Sequence, residues 1–443
     1  MVASGRPPVL NNSTATRHRR VPKVRFIPVT LICASPVMLL WDGLIMQGLL
    51  AGIIAVALGI TAQTLRPGET EFLVSIFRPL AAVAAVPALW VVVQLLPLKL
   101  FAHPIWRSAE TALGHPIAGA ISVDPGASII ALGQYLCVIA VAFLSAAVAI
   151  ERQRAEWILF ALTAAVTAAA LMLLARPATF ARGQTIDCVA MGIIIAGAAC
   201  IRTIERYETR RSSPQRSVPV LVWTFVACSA ALAICGAAVT LATPEILIAT
   251  GYGIFAFSCI SIIRRFALGA IGITAISAPA LGAAILLLAY YPAERGTSSV
   301  TLAFAGASNA SRIALSERVL YDAPLVGTGA GTFAALAPIY RQIDDPPPDS
   351  TAVTAAATIA IELGEPMLWL ITVATGGFIF ILLRASLQRG RDSFYPAMGG
   401  SCLITLLLLS LNNAGLLGTE SSSIAAAVIG LAIAQSKSRT AKL

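Results

Sequence analysis

Apolar runs about as long as a bilayer is thick recur along nearly the whole of this chain. A helix needs about 20 mostly apolar residues to cross the hydrocarbon core. Only 12% of the residues are charged, whereas a soluble domain carries about 25%, so a soluble fold would have too little polar surface. Because backbone groups in lipid must bond within the protein, we expect an all-α, polytopic transmembrane helix bundle.

The apolar runs predict about twelve membrane spans. Residues 26–290 would hold spans 1–9 and residues 357–435 would hold spans 10–12, with a long extracytoplasmic loop at 291–356 between them. The polar ends, 1–25 and 436–443, are predicted as cytoplasmic tails. A cleavable signal peptide competes with the first span, but the apolar sequence leads straight on into further spans, so we keep it as a helix. The predicted spans are 26–41, 43–64, 79–97, 127–149, 156–175, 185–201, 218–241, 244–263, 268–290, 357–383, 395–412 and 420–435.

The placement of the basic residues agrees with this division. Of the 31 Lys and Arg residues, 23 fall in loops and tails predicted inside and 8 in loops predicted outside. Cytoplasmic loops carry such an excess of Lys and Arg, so both termini are predicted to be cytoplasmic. The net charge of +10 is then a topology signal next to anionic lipid. No basic stripe with interleaved aromatic residues lies elsewhere, so no nucleic-acid partner is expected.

The cysteines and histidines do not suggest a metal site. Eight cysteines are present without a Cys-x-x-Cys pair, nearly all inside apolar runs, and only three histidines accompany them. This pattern favours small buried residues in a helix bundle. No metal is expected.

The loop 291–356 carries the most informative local sequence. Residues 311–322 have apolar residues at helical spacing and predict a short amphipathic helix, which Pro324 would end. Next come Gly327, Gly329 and Gly331, which permit unusual backbone angles and close approach to a ligand. The glycines could cradle phosphate oxygens with their N–H groups. A tight turn where the chain re-enters the bundle is the alternative.

Arginines on the predicted outer face run against the general placement of basic residues. Arg312, Arg318 and Arg341 lie in this loop, and Arg176 and Arg182 lie in another outer loop. Arginine stays charged and can contact phosphate with two parallel hydrogen bonds. The three loop arginines are therefore candidate phosphate ligands. Ion pairing with acidic residues of the loop is the alternative.

Carboxylates form a second candidate group. Glu362 and Glu365 are three residues apart where the loop re-enters the predicted membrane, which would place them on one helical face. Acidic residues at a helix start also favour the positive end of the helix dipole, which is a structural explanation for both. Asp187 and Glu420 lie near the outer ends of their own predicted spans.

Residues 311–341 resemble the O-antigen ligase and polymerase-like membrane glycosyltransferases. The family pattern is a short helix begun by Arg, a Pro, a Gly-x-Gly-x-Gly-x-Phe turn and a Tyr-Arg pair. This chain has SRIALSERVLYDAP, GTGAGTF and IYR in that order. The likeness extends to the Glu-x-Gly of IELGEPMLWLI and upstream to WVVVQLLPL, HPIW and ISVDPGAS.

The resemblance implies a GT-C-like glycosyltransferase in a bacterial inner membrane. The donor would be a glycan on a polyprenyl diphosphate, and the acceptor a saccharide or lipid-linked saccharide at the outer face. Arg312 and Arg341, with Arg318 behind them, would bind the diphosphate and stabilise charge as the sugar–phosphate bond breaks. No metal or cofactor would be required.

Two positions depart from the family pattern. The family carries a His about nine residues before Glu-x-Gly, where this chain has Val353, and a Trp where this chain has Ser316. No histidine occurs after His115, so Glu362 becomes the candidate catalytic base. The alternatives are a non-catalytic membrane component of a polysaccharide assembly complex and a transporter of lipid-linked oligosaccharide.

Overall fold

A computed structural model of the chain describes residues 44–65, 67–98, 101–180, 183–211, 218–265, 300–306, 310–342, 351–389 and 392–437. Within these ranges the protein consists of helices and their connections, with no β-strand. The fifteen described α-helices are α1 (Leu44–Thr64), α2 (Pro67–Leu95), α3 (Ile105–Leu113), α4 (Pro125–Ala149), α5 (Arg152–Ala175), α6 (Pro177–Phe180), α7 (Gly183–Arg211), α8 (Val218–Val239), α9 (Pro244–Arg265), α10 (Ala310–Asp322), α11 (Phe333–Tyr340), α12 (Ala355–Leu363), α13 (Glu365–Gln388), α14 (Phe394–Leu409) and α15 (Thr419–Ala434).

Seven described helices are long and apolar enough to cross a membrane. These are α2, α4, α5, α7, α8, α9 and α13, and α1, α14 and α15 are shorter apolar helices. The expectation of an all-helical, multi-pass membrane protein is thereby confirmed. Ten of the twelve predicted spans coincide with described helices. The other two, 26–41 and 268–290, lie outside the described residues, as do both predicted tails apart from Ser436 and Lys437.

Helix boundaries differ from the predicted ones at three places. The predicted span 357–383 is two helices, because the chain breaks between α12 and α13 at Gly364, which has a φ of 94°. Helix α7 continues to Arg211, ten residues past its predicted end, and α2 begins twelve residues before its own predicted start. Charged residues on these extensions do not stop the helices, since a helix satisfies its own backbone whether its side chains face lipid, water or protein.

The centre of the bundle is built by α4, α5, α7, α14 and α15, whose buried residues form one apolar cluster. Small residues let these helices approach closely, as is common between membrane helices. At Gly430 on α15 a β-carbon would collide with the carbonyl of Ala142 on α4. Ser145 Oγ on α4 donates to the Ala427 carbonyl at 2.7 Å across the same interface.

Hydrogen bonds at the two ends of α4 distinguish the two ends of the bundle. At one end of α4, Ser128 Oγ donates to the carbonyl of Ala330 at 2.8 Å. At its other end, the Ala149 carbonyl accepts a hydrogen bond of 2.6 Å from Gln435 Nε2. We call these the loop end and the tail end of the bundle. The loop end holds the glycine-containing part of the predicted extracytoplasmic loop, and the tail end holds Gln435, next to the predicted cytoplasmic tail.

Candidate functional site

The described part of the predicted extracytoplasmic loop folds as a small helical unit at the loop end. Its first helix, α10, confirms the amphipathic helix predicted over 311–322. Leu315, Ser316 and Val319 are the buried residues of α10. Leu315 and Val319 pack against residues of α11 and α12. The apolar core of the unit comprises Leu302, Leu315, Val319, Phe333, Ala337, Ala352, Ala357 and Ile361.

The glycine turn links α10 to α11 and takes left-handed backbone angles. Gly327, Gly329 and Gly331 have φ values of 80°, 109° and 75°. A β-carbon at Gly327 would stand 2.7 Å from the carbonyl carbon of Glu362, and one at Gly329 would stand 2.7 Å from Ser122 Cα. The turn therefore needs glycine both for its conformation and for its close packing.

The N–H groups of the three glycines donate hydrogen bonds within the chain. Gly327 donates to the Pro324 carbonyl at 2.8 Å, Gly329 to the Glu362 carbonyl at 3.0 Å and Gly331 to Glu362 Oε2 at 2.8 Å. In this conformation the turn is a packed structural element. The geometry favours the tight-turn alternative over the phosphate cradle.

Glu362 is the residue around which the turn is organised. Its side chain is buried, with Oε2 accepting from the Gly331 N–H and Oε1 accepting from the N–H of Phe333 at 3.2 Å. Phe333 is the first residue of α11, where N–H groups lack partners within the helix. The short helix α12 is not among the spanning helices. Burial raises the pKa of Glu362 to about 7, and the two backbone N–H donors oppose that shift.

Glu365 does not share a helical face with Glu362, contrary to the prediction. Gly364 separates the two residues into different helices, so their three-residue spacing does not bring them together. Glu365 is exposed at the start of α13, and its Oε1 accepts a long hydrogen bond of 3.4 Å from Trp369 Nε1. The structure therefore assigns different environments to the two carboxylates.

Two residues of α2 hold the unit to the bundle, and the sequence analysis did not single them out. Gln94 is fully buried, and its Nε2 donates to the carbonyls of Val326 and Glu362, each at 3.0 Å. Trp90 Nε1 donates to the Leu363 carbonyl at 2.8 Å. A polar glutamine inside the apolar run WVVVQLL was the available signal, because a polar group in such a run requires a partner.

The segment between α2 and α4 forms the other side of the glycine turn. Val123 N–H donates to the Thr328 carbonyl at 2.9 Å, and the hydroxyls of Ser122 and Ser128 lie 2.8 Å apart. Asp124 caps α4 by accepting from the Ala127 N–H at 3.0 Å. The motifs quoted upstream for the family resemblance thus contact the motif in the loop.

The three candidate arginines do not lie together: Arg312 is at the start of α10, and the other two are nearer to its end. Arg312 is exposed in its first turn, and Arg341 is exposed just after α11. Tyr340 hydrogen-bonds Asp322 at the end of α10, and the pKa of Tyr340 is raised by burial and then by this carboxylate. Arg341 therefore lies near the end of α10, while Arg312 is ten residues earlier, roughly 15 Å along the helix axis.

Arg318 is half-buried on the side of α10 nearer to Arg341. Its Nε donates to the Ala314 carbonyl of its own helix at 3.1 Å. Arg318 precedes Asp322 by one turn on the same face. The structure accordingly brings Arg318 and Arg341 towards one end of the helix and leaves Arg312 at the other. Arg176 ends α5 in a separate connection, and Arg182 lies outside the described residues.

The two positions that depart from the family pattern are neighbours. Val353 N–H donates to Ser316 Oγ at 3.2 Å, so the small residues occupy adjacent places in the core of the unit. Neither side chain can act as a base near neutral pH. His103, in the connection before α3, uses Nδ1 to accept from the Ile105 N–H at 3.3 Å, and burial lowers its pKa.

A second group of carboxyl groups is buried beside the unit. Asp187 on α7 accepts from Asn413 Nδ2 at 3.0 Å, and the Asn413 carbonyl accepts from the Ala355 N–H that begins α12. Glu420 on α15 is also fully buried, next to Cys188 of α7, in the described part of the chain. No group of three or more His, Cys, Asp and Glu residues there could hold a metal ion.

No protein-family model and no curated protein matches this chain. The likeness to the O-antigen ligase and polymerase-like family accordingly rests on the motif residues described above.

Proposed function

We propose that this protein is a membrane glycosyltransferase of the O-antigen ligase and polymerase-like type. It would move a glycan from a polyprenyl-diphosphate carrier to a saccharide acceptor at the outer face of a bacterial inner membrane. Both termini and the tail end of the bundle would be cytoplasmic, and about twelve spans in a GT-C-like arrangement would complete the fold.

The observation that carries the proposal is the contact between the separate motifs of the resemblance. The glycine turn bonds to the connection before α4 through Val123 and Thr328, and to the Glu-x-Gly segment through Gly329 and Glu362. These segments are far apart in the sequence, and none is required to meet by membrane topology alone. Their assembly at one end of the bundle supports a shared site on the surface that carries the arginines.

The chemistry of the proposed site rests on arginine. Departure of a polyprenyl diphosphate from the sugar leaves negative charge on the phosphate oxygens, and guanidinium groups stabilise that charge without a metal. Arg318 and Arg341, close to one end of α10, would contact the diphosphate, and Arg312 would bind a more distant part of the donor.

Glu362 is proposed as a positioning residue instead of a catalytic base. A base must reach the hydroxyl proton that it removes, whereas both oxygens of Glu362 already accept N–H groups of the turn. Its carboxylate would fix the glycine turn and the start of α11, and through α11 the position of Arg341.

A non-catalytic role in polysaccharide assembly is the second candidate. It is favoured by the Ser316–Val353 contact, which fills the place of two family residues with small side chains that carry no proton acceptor of suitable pKa. In that case the loop unit would bind a lipid-linked glycan without transferring it. A transporter remains a weaker alternative, since no observation of the described helices favours it.

The test is complementation of a strain that lacks the chromosomal copy, with surface polysaccharide analysed by gel. The variants are Arg312→Ala and Arg341→Ala, and Arg107→Ala, exposed on α3 in another outer connection, is the matched control. We expect wild type and Arg107→Ala to restore glycan attachment and both loop variants to fail at normal membrane levels. If all four proteins behave alike, the diphosphate site is wrong. If the loop variants fail, Val353→His separates the transferase from the non-catalytic component. An added imidazole would raise glycan attachment only in a transferase that lacks a base.

A further inference from the structure

A buried cluster of ion pairs lies at the tail end, remote from the glycine turn. Arg202 on α7 is 4% exposed and bonds to Glu156 on α5, which also pairs with Arg206. Asp392, in the connection between α13 and α14, lies 3.3 Å from Arg202 Nη1 and 2.9 Å from Arg152 Nη2. The cluster thereby joins α5, α7 and the α13–α14 connection.

Four polar groups around this cluster have no hydrogen-bond partner within the described residues. They are Arg152 Nε, Arg389 Nη1, Ser393 Oγ and Tyr395 Oη. The residues Ser393 and Tyr395 are both 0% exposed. Buried polar atoms in folded proteins almost always have hydrogen-bond partners. Four buried polar atoms without one, all on residues of this cluster or next to it, therefore require an explanation.

All four groups belong to residues near Asp392. Arg152 pairs with Asp392, Arg389 interacts with it electrostatically, and Ser393 follows it in the sequence. Tyr395 interacts electrostatically with Arg202, Arg152 and Asp392. Burial lowers the pKa of Arg389, the nearby Arg152 lowers it further, and Asp392 opposes both effects. The guanidinium groups of Arg152 and Arg389 therefore lie close together. They are beside Asp392, whose Oδ1 pairs with both Arg152 and Arg202.

We propose that this cluster binds an anion of the phosphate type. All four orphaned groups can donate a hydrogen bond, and phosphate oxygens are acceptors that guanidinium groups contact in pairs. A bound phosphate would also offset the repulsion between Arg152 and Arg389. The carboxylates of the cluster are engaged with arginines and do not exclude an anion.

The position of the cluster suggests two sources for the phosphate. Basic pockets between membrane helices at the cytoplasmic side bind headgroups of anionic phospholipids, and the tail end is the side predicted to face the cytoplasm. A soluble phosphate compound from the same side has the same chemistry. The two sources are separated by experiment, and neither depends on the glycan chemistry proposed for the loop end.

The test uses the full-length protein purified in detergent. Its thermal unfolding temperature is measured separately with each of three additives. These are phosphatidylcholine, an equal amount of phosphatidylglycerol, and inorganic phosphate. We expect phosphatidylglycerol to raise the unfolding temperature above that in phosphatidylcholine. Equal protection by inorganic phosphate identifies a soluble ligand, and protection by the lipid alone identifies a headgroup. If neither phosphatidylglycerol nor inorganic phosphate raises the unfolding temperature above that in phosphatidylcholine, the proposal is overturned.

Variants locate the effect. Arg389→Gln removes a charge beside Asp392, and Tyr395→Phe removes only a hydroxyl. As a control, Arg384→Gln removes an exposed charge from α13, the helix that ends just before Arg389. We expect Arg389→Gln to bind the protecting anion about tenfold more weakly, as loss of one charged hydrogen bond predicts. Tyr395→Phe should show a smaller loss and Arg384→Gln none. Equal losses of anion affinity in Arg384→Gln and Arg389→Gln would mean that the anion binds through general surface charge, which would contradict the proposed site.

Discussion

Gln94 Nε2 donates to the backbone carbonyl of Glu362 at 3.0 Å, joining residues that lie 268 positions apart in the sequence. The same amide nitrogen donates to the Val326 carbonyl at the edge of the glycine turn. One buried side chain on α2 thus satisfies two carbonyls of the loop unit. The position of the candidate site relative to the bundle depends on this contact.

Replacing Gln94 with Leu should destabilise the protein. The apolar side chain fits a buried place of similar size but leaves the Val326 carbonyl without a donor and the Glu362 carbonyl with the Gly329 N–H alone. An unsatisfied buried carbonyl costs about 1–3 kcal/mol. Thermal unfolding of the purified variant measures the loss. Gln63→Leu is the control, since Gln63 is exposed near the end of α1, and an equal effect of the two substitutions would contradict the role of Gln94.

Alanine at Gly327 should be far more harmful than alanine at Gly114. Both glycines have left-handed angles, with φ of 80° and 69°, so both substitutions incur a backbone cost of about 1–2 kcal/mol. A β-carbon at Gly114 meets nothing within 4 Å, whereas one at Gly327 collides with the backbone of Glu362. Comparison of the two unfolding temperatures isolates the packing cost. Similar values would show that the turn is loosely packed.

The apolar runs predicted most of the bundle because hydropathy reports directly on burial in lipid. The break at Gly364 was missed, since glycine is common in membrane helices and only its φ of 94° reveals the end of α12. The residues of the glycine turn were found, but their partners were not. Which carbonyl a turn meets depends on long-range packing, and Gln94, Ser122 and Glu362 come from three separate regions.

The tail-end cluster shows a second limit of sequence analysis. Arg202 and Glu156 were assigned to a loop and to the start of a span, because charged residues are excluded from hydrocarbon. In the structure they are buried together, at 4% exposure each. A count of charges cannot distinguish a solvated arginine from one that has a carboxylate partner 46 residues away.

Breaking this pair should cost much more than breaking an exposed one. Glu156→Gln leaves Arg202 and Arg206 without their shared carboxylate, while Arg202 keeps Asp392 and Glu205. Loss of this partner of a buried pair should cost on the order of 3 kcal/mol. Glu151→Gln is the matched control on the same helix end, because Glu151 pairs with Arg154 while its side chain is 41% exposed. We expect the control to change the free energy of unfolding by less than about 1 kcal/mol. Equal changes would show that the cluster is solvated.

Glu362 should make the stability of the protein depend on pH. Burial raises its folded pKa from 4.5 to about 7, so between these values the folded state holds a proton that the unfolded state has released. The free energy of unfolding therefore falls as the pH rises through this window, by an amount on the order of 3 kcal/mol, and is level above it. Glu362→Gln removes this dependence, while Glu365→Gln, at an exposed carboxylate, keeps it. Thermal unfolding from pH 4.5 to 8 gives the free energy of unfolding of wild type and of each variant. The contributions of other titrating groups cancel in the difference between wild type and variant. A wild-type curve parallel to that of Glu362→Gln would mean that the carboxylate stays ionised against the N–H groups of Gly331 and Phe333. The turn would then be held by a full negative charge throughout this pH range.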